Sequence, residues 1–144
     1  MPTKRKHKNL PPLFFLKLGL ELKDKKISSE AVNHRRFKSW YGVNWKLMSV
    51  LWNLLGRSGW TKKLKQRPNP AHLLWALSFL KAYKKEADFA ADVKKEEKTF
   101  RKWAWFYAKG IAKLVSRVVS FTLFIGVFTR LNLLFTSLLF CEID

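Results

Sequence analysis

Asn69 to Val115 reads NPAHLLWALSFLKAYKKEADFAADVKKEEKTFRKWAWFYAKGIAKLV, and the spacing of its apolar residues decides the fold. Asn69 and Pro70 open it as a capping residue followed by proline at the first helical position, where a missing N–H costs nothing. Leu73, Leu74, Leu77, Leu80 and Tyr83 then recur at helical steps. His72, Trp75 and Phe79 carry the apolar surface round most of the circumference, so the pattern predicts a helix over 70–83 in the middle of a bundle. Glu86 to Val93 is short and alanine-rich, with Ala87, Ala90 and Ala91 expected to let neighbouring backbones approach closely. A long helix follows over about 96–115. Phe100, Trp103, Tyr107, Ile111 and Leu114 mark its apolar side, and Lys98, Arg101, Lys102, Lys109 and Lys113 its basic side.

Upstream, residues 35–43 read as a helix ending at Gly42. Asn44 then caps a helix over 45–55, with Gly56 as its stop. Leu47, Met48, Leu51, Leu54 and Leu55 give that helix one apolar stripe. Residues 56–70 are punctuated by Gly, Ser and Pro and read as a basic loop through Lys62, Lys63, Lys65 and Arg67. Alternation with a period of two is absent over any useful length, so the fold class expected is all-α.

Charge is unevenly spread along the 144 residues, whose formal net charge is +19. Residues 1–117 hold 28 of the 29 basic side chains and eight of the ten acidic ones, which makes this part the polyanion-seeking body. Residues 1–30 read as a disordered basic arm, because the like charges of Lys4, Arg5, Lys6 and Lys8 repel and stay solvated. That arm serves nuclear import or phosphate contact, or only solubilises the chain. Pro11-Pro12 and Lys17 interrupt the apolar residues of 10–22, which excludes a signal peptide from the expectation. The lone Cys141 excludes an internal disulfide framework, and His7, His34 and His72 lack ligand spacing. No metal, cofactor or small-molecule substrate is therefore expected.

Helices over 70–83, 86–93 and 96–115 have the proportions of a helix-turn-helix, with the last presenting basic residues near its N-terminal end. Lys98, Arg101 and Lys102 stand at i, i+3 and i+4 and share a face. Arginine reads guanine bidentately and lysine neutralises phosphate, so these three are the candidate DNA contacts, seconded by Lys94 and Lys95 at the turn. Phosphate contacts are expected from the 62–67 loop and from the arm. Trp105 reads either as packing on the short helix or as a platform for a sugar or base.

The runs Phe37–Val43, Leu51–Leu55, Pro70–Leu77, Phe79–Tyr83 and Glu97–Trp105 resemble the N-terminal region of Harbinger-like, DDE-superfamily transposases and endonucleases. The resemblance covers about residues 35–119. It implies a helix-turn-helix that docks on element DNA, a nuclear location, and Lys98, Arg101 and Lys102 at the DNA. Two departures bear on it. Lys94 and Lys95 stand where relatives have glycine and an apolar residue, which should loosen the turn or fuse its two helices. Past residue 119 the carboxylates of a two-metal site do not follow: only Glu142 and Asp144 remain, so no nuclease activity is expected.

Residues 118–144 form an apolar tail instead. Fifteen of the 23 residues over 118–140 are Leu, Ile, Val or Phe, and Arg130 is the one charge. The apolar residues supply about −4 to −9 kcal/mol of insertion free energy against about +3 kcal/mol for a central arginine. The tail thus reads as a marginal membrane anchor beside anionic lipid, or as out-of-frame sequence from a decayed element. The expectation for the whole is a DNA-binding, transposase-derived module; its alternatives are a tail-anchored membrane protein and a non-functional fragment.

Overall fold

Helix α4, Pro70–Ala82, lies at the centre of the bundle in the computed structural model, which describes residues 7–82 and 84–118. The Asn69 side chain caps it, accepting a hydrogen bond from the Ala71 N–H at 3.0 Å. Every residue from His72 to Ser78 is buried, the consequence of an apolar surface that runs all the way round. Helices α1 (Pro12–Glu21), α2 (Glu30–Tyr41), α3 (Trp45–Arg57), α5 (Glu86–Asp92) and α6 (Glu97–Val118) complete the fold. The described residues include no strand, so the fold they form is all-α. Leu73, Leu74 and Leu77 of α4 meet Phe37, Met48, Leu55, Phe100, Tyr107 and Ile111 in one fully buried core. Each such side chain stabilises the fold by roughly 1.5–3 kcal/mol.

Local chemistry sets most boundaries where the residue types place them. Gly42 ends α2 in the left-handed region at φ +76°, with its N–H returned to the Lys38 carbonyl at 2.8 Å. Asn44 caps α3 by accepting from the Leu47 N–H at 2.8 Å. The expected stop at Gly56 is corrected, because α3 continues to Arg57 and Gly59 is the left-handed residue, at φ +78°. Gly56 serves another purpose. A Cβ there would collide with the His7 imidazole, so the glycine makes room for a segment crossing α3.

That crossing overturns the expected disordered arm from residue 7 onward. The Trp52 indole donates to the Lys8 carbonyl at 2.8 Å, and the Ser49 hydroxyl donates to the Leu10 carbonyl at 2.6 Å. Asn53 Oδ1 accepts from the Leu10 N–H at 3.2 Å, and Thr61 Oγ1 lies 3.0 Å from His7 Nδ1. Helix α1 follows, with Pro12 at its first position and Phe15, Leu16 and Leu20 buried in the core. Gly19 lets α1 approach Phe37, and its carbonyl accepts from the Tyr41 hydroxyl at 2.9 Å. Charge repulsion accounts for solvated Lys8 and Lys17, but burial of three large apolar groups outweighs it. Lys4, Arg5 and Lys6 lie outside the described residues.

The turn between α5 and α6 corrects a second expectation. It neither loosens nor fuses the helices: Val93–Glu96 separates them, and Lys94 occupies the left-handed region at φ +56°. The Lys94 N–H donates to the Ala91 carbonyl at 3.1 Å and the Lys95 N–H to the Ala90 carbonyl at 2.9 Å, which closes the end of α5. The packing residue of α5 is Phe89, stacked on Phe100 at 5.6 Å between centroids. Of the three alanines only Ala90 is buried; Ala87 and Ala91 face solvent.

Candidate nucleic-acid interface

Helix α6 has one buried side and one basic side, because its apolar and lysine residues keep separate helical phases. Phe100, Trp103, Tyr107, Ile111 and Leu114 point into the core. Lys98, Lys102, Lys109 and Lys113 are exposed and fall within about one-fifth of the circumference at roughly 100° per residue. They make a stripe about 22 Å long at about 1.5 Å of rise per residue. A stripe of this length suits a helix laid along a polyanion, and not only one presenting its tip.

At the N-terminal end the structure brings the candidate residues close to carboxylates. Arg101 Nε pairs with Glu86 of α5, and Arg101 Nη2 lies 2.6 Å from Glu97 Oε1. The Trp105 indole donates to Glu86 Oε1 at 3.0 Å and packs on Phe79, so Trp105 belongs to the helix junction. Partial burial pushes the Glu86 carboxyl up, but the Trp105 N–H and the Arg101 guanidinium outweigh it and hold Glu86 below the usual carboxylate range. Arg101 therefore sits in a fork of two carboxylates, with its side chain still 54% exposed. Lys94, Lys95 and Lys98 are exposed. Lys102 is exposed too, with its ammonium 4.8 Å from the Trp103 ring.

Beneath this end lies His72, buried and stacked on Trp103 with centroids 4.5 Å apart. Burial pushes its imidazole down to about 4, and the charges of Lys95 and Lys102 push in the same direction. His72 is thus neutral at neutral pH and reports the field of two lysines on the candidate surface.

The C-terminal end differs. After α3, Gly59 turns the chain into a short 3-10 turn, Trp60–Lys63, which carries Lys62 and Lys63; Lys65 and Arg67 follow in the segment leading to α4. All four are exposed. The turn lays Trp60 across α6, where its indole N–H donates to the Phe106 carbonyl at 3.0 Å. Lys63 and Lys113 hold their ammonium groups 3.8 and 5.0 Å from the Trp60 ring centroid.

A count of charges alone would have separated the ends. Residues 86–102 contain five basic and five acidic side chains, so this segment has no net charge. Residues 57–67 and 103–116 contain seven basic and no acidic ones, so no carboxylate of these segments offsets the positive charge around Trp60. Spacing drew attention to the first group, whereas balance points to the second.

The described residues include no group of three or more metal-ligating side chains. They also include no helix long and apolar enough to cross a membrane; the tail expected as an anchor lies outside them from residue 119. Comparison with family models, curated proteins and solved structures yields no match.

Proposed function

We propose that this protein is a DNA-binding module of the transposase helix-turn-helix kind, acting in the nucleus by binding alone. The observation that carries the reading is the stripe of Lys98, Lys102, Lys109 and Lys113 along the solvent side of α6. A rigid helix with four lysines in one line neutralises successive backbone phosphates and releases their counterions. Lys94 and Lys95, in the turn before α6, and Lys62, Lys65 and Arg67, between α3 and α4, are further exposed cations available to the backbone. Lys4, Arg5 and Lys6 add charge for the backbone or for nuclear import. Arg101 reads a base only after exchanging its carboxylate partners for guanine, so base readout is the weaker part of the interaction.

The test is duplex binding by the full chain, followed by fluorescence anisotropy in a salt series. Four phosphate contacts predict an affinity loss of about a hundredfold between about 50 and about 200 mM salt. Undetectable binding at the lowest salt would falsify the reading. Binding to phosphatidylserine vesicles without binding to duplex would favour the membrane alternative instead.

A further inference from the structure

We infer that the junction of the 60–63 turn with α6 is a phosphate clamp, in which Lys63 and Lys113 close on one backbone phosphodiester beside Trp60. This rests on the DNA reading and moves the main electrostatic contact from the N-terminal end of α6 to its C-terminal half.

The seat is built, not incidental. Gly110 interrupts α6 with a residue that weakens helices, and a Cβ there would stand 2.5 Å from Trp60 Nε1 and 3.0 Å from Leu55 Cδ2. Glycine at this position lets the indole approach the helix closely. Two further contacts fix the ring: the hydrogen bond to the Phe106 carbonyl and packing on the Phe106 ring at 5.3 Å. Both ammonium groups therefore converge on a ring that α6 holds in place.

Two cations drawn to one indole repel each other, and the described residues supply neither with a carboxylate. Beside them opens a cavity of about 160 Å³ lined by Ser58, Gly59, Trp60, Lys63, Gly110, Lys113 and Leu114. No acidic residue borders it. An anion placed there relieves the repulsion, and a phosphodiester is the anion that a helix already lined with lysines would deliver. Lys113 is shared by the stripe and the clamp. From Lys98 to Lys113 the stripe covers about 22 Å, or roughly six nucleotides of one strand at about 3.4 Å each.

The experiment compares two double variants of the full chain, K63Q/K113Q and K98Q/K102Q, by anisotropy on a labelled duplex across salt. All four residues are exposed, and circular dichroism checks that the helices persist. Loss of the clamp should lower the slope of log affinity against log salt by about 2, since each contact contributes about 0.9. In parallel, the Trp60 indole N–H signal, assigned by its disappearance in Trp60→Phe, should shift on adding duplex. An unchanged slope in K63Q/K113Q beside a reduced one in K98Q/K102Q overturns the clamp and leaves the DNA reading standing. No duplex binding by the unmodified chain overturns both. Vesicle binding lost in K63Q/K113Q without duplex binding assigns the lysine pair to lipid and overturns the nucleic-acid clamp.

Discussion

The two ends of α6 carry lysines on the same side of one helix but stand in opposite electrostatic surroundings. At the N-terminal end Arg101 is forked between Glu86 and Glu97, and the segment 86–102 is neutral overall. At the C-terminal end Lys63 and Lys113 share Trp60 with no carboxylate beside the cavity they border. The difference separates charge that is present from charge that is available. A cation already paired must lose its partner before it meets phosphate, whereas a cation crowded by another gains from meeting one. The N-terminal end is therefore the specific, weakly attractive part of the proposed surface, and the C-terminal end the sequence-independent anchor.

The largest effect expected belongs to the N-terminal end and depends on pH. His72 has its pKa lowered to about 4 in the fold, first by burial and then by Lys95 and Lys102. Because the unfolded chain takes up the proton more readily, this contribution to stability is complete above pH about 6.5. It falls as pH drops from there towards 4 and is level below, a loss on the order of 3 kcal/mol. Denaturant melts across that range should show the loss, and His72→Leu should remove that part of it. The same imidazole tests the comparison directly. Duplex bound against Lys95 and Lys102 screens them and raises the His72 pKa, which an NMR titration reads; duplex held only at the C-terminal end leaves it unmoved.

Next in size is Gly110→Ala, at the other end. Alanine favours the helix by about 1 kcal/mol, but its methyl group displaces the Trp60 indole. Overpacking of this kind costs about 1–3 kcal/mol, so thermal melts should show a net destabilisation or none, never a gain. Duplex affinity should fall with it, because the ring that gathers Lys63 and Lys113 has left its seat. An affinity unchanged by the substitution would show that the two ends do not differ in the way inferred.

Glu86→Gln should act in the opposite sense. It removes one carboxylate from the Arg101 fork while keeping a hydrogen-bond acceptor for the Trp105 indole. Duplex binding should strengthen, and its salt slope should steepen by about 1 as Arg101 gains a phosphate. A weaker binder would mean that Glu86 holds Arg101 in its working position. The smallest effect is expected of Lys94→Gly, which relieves a left-handed conformation at φ +56° and should stabilise the chain by about 0.5–1 kcal/mol in thermal melts. Its duplex slope should drop by less than that of the clamp variant.

Much of the helical framework was legible without coordinates. Asn44, Gly42, Asn69 and Pro70 act through neighbours one to four residues away, so their residue types are enough to place the end of α2 and the starts of α3 and α4. The same spacing placed Lys98, Lys102, Lys109 and Lys113 on the outer side of α6. Helix α1 and the segment at His7–Leu10 were hidden, because Leu10 is held by Ser49 and Asn53, about forty residues away. Gly56 and Gly110 were equally opaque. Each looks like a weak helical residue until the ring that crosses it, His7 or Trp60, is seen.

The sequence by itself determined that the chain is all-α, that α4 is central, and that the basic residues gather on one side of α6. Those properties follow from helical periodicity, and periodicity is local. Only the tertiary structure decided which cations are spoken for and which are crowded together. Glu86 reaches Arg101 because α5 packs back on α6, and Lys63 and Lys113 meet at one indole because a left-handed Gly59 turns Trp60 onto a glycine fifty residues further along. Electrostatic interaction depends on distance through space, and spacing along the chain reports that distance only within a few helical turns.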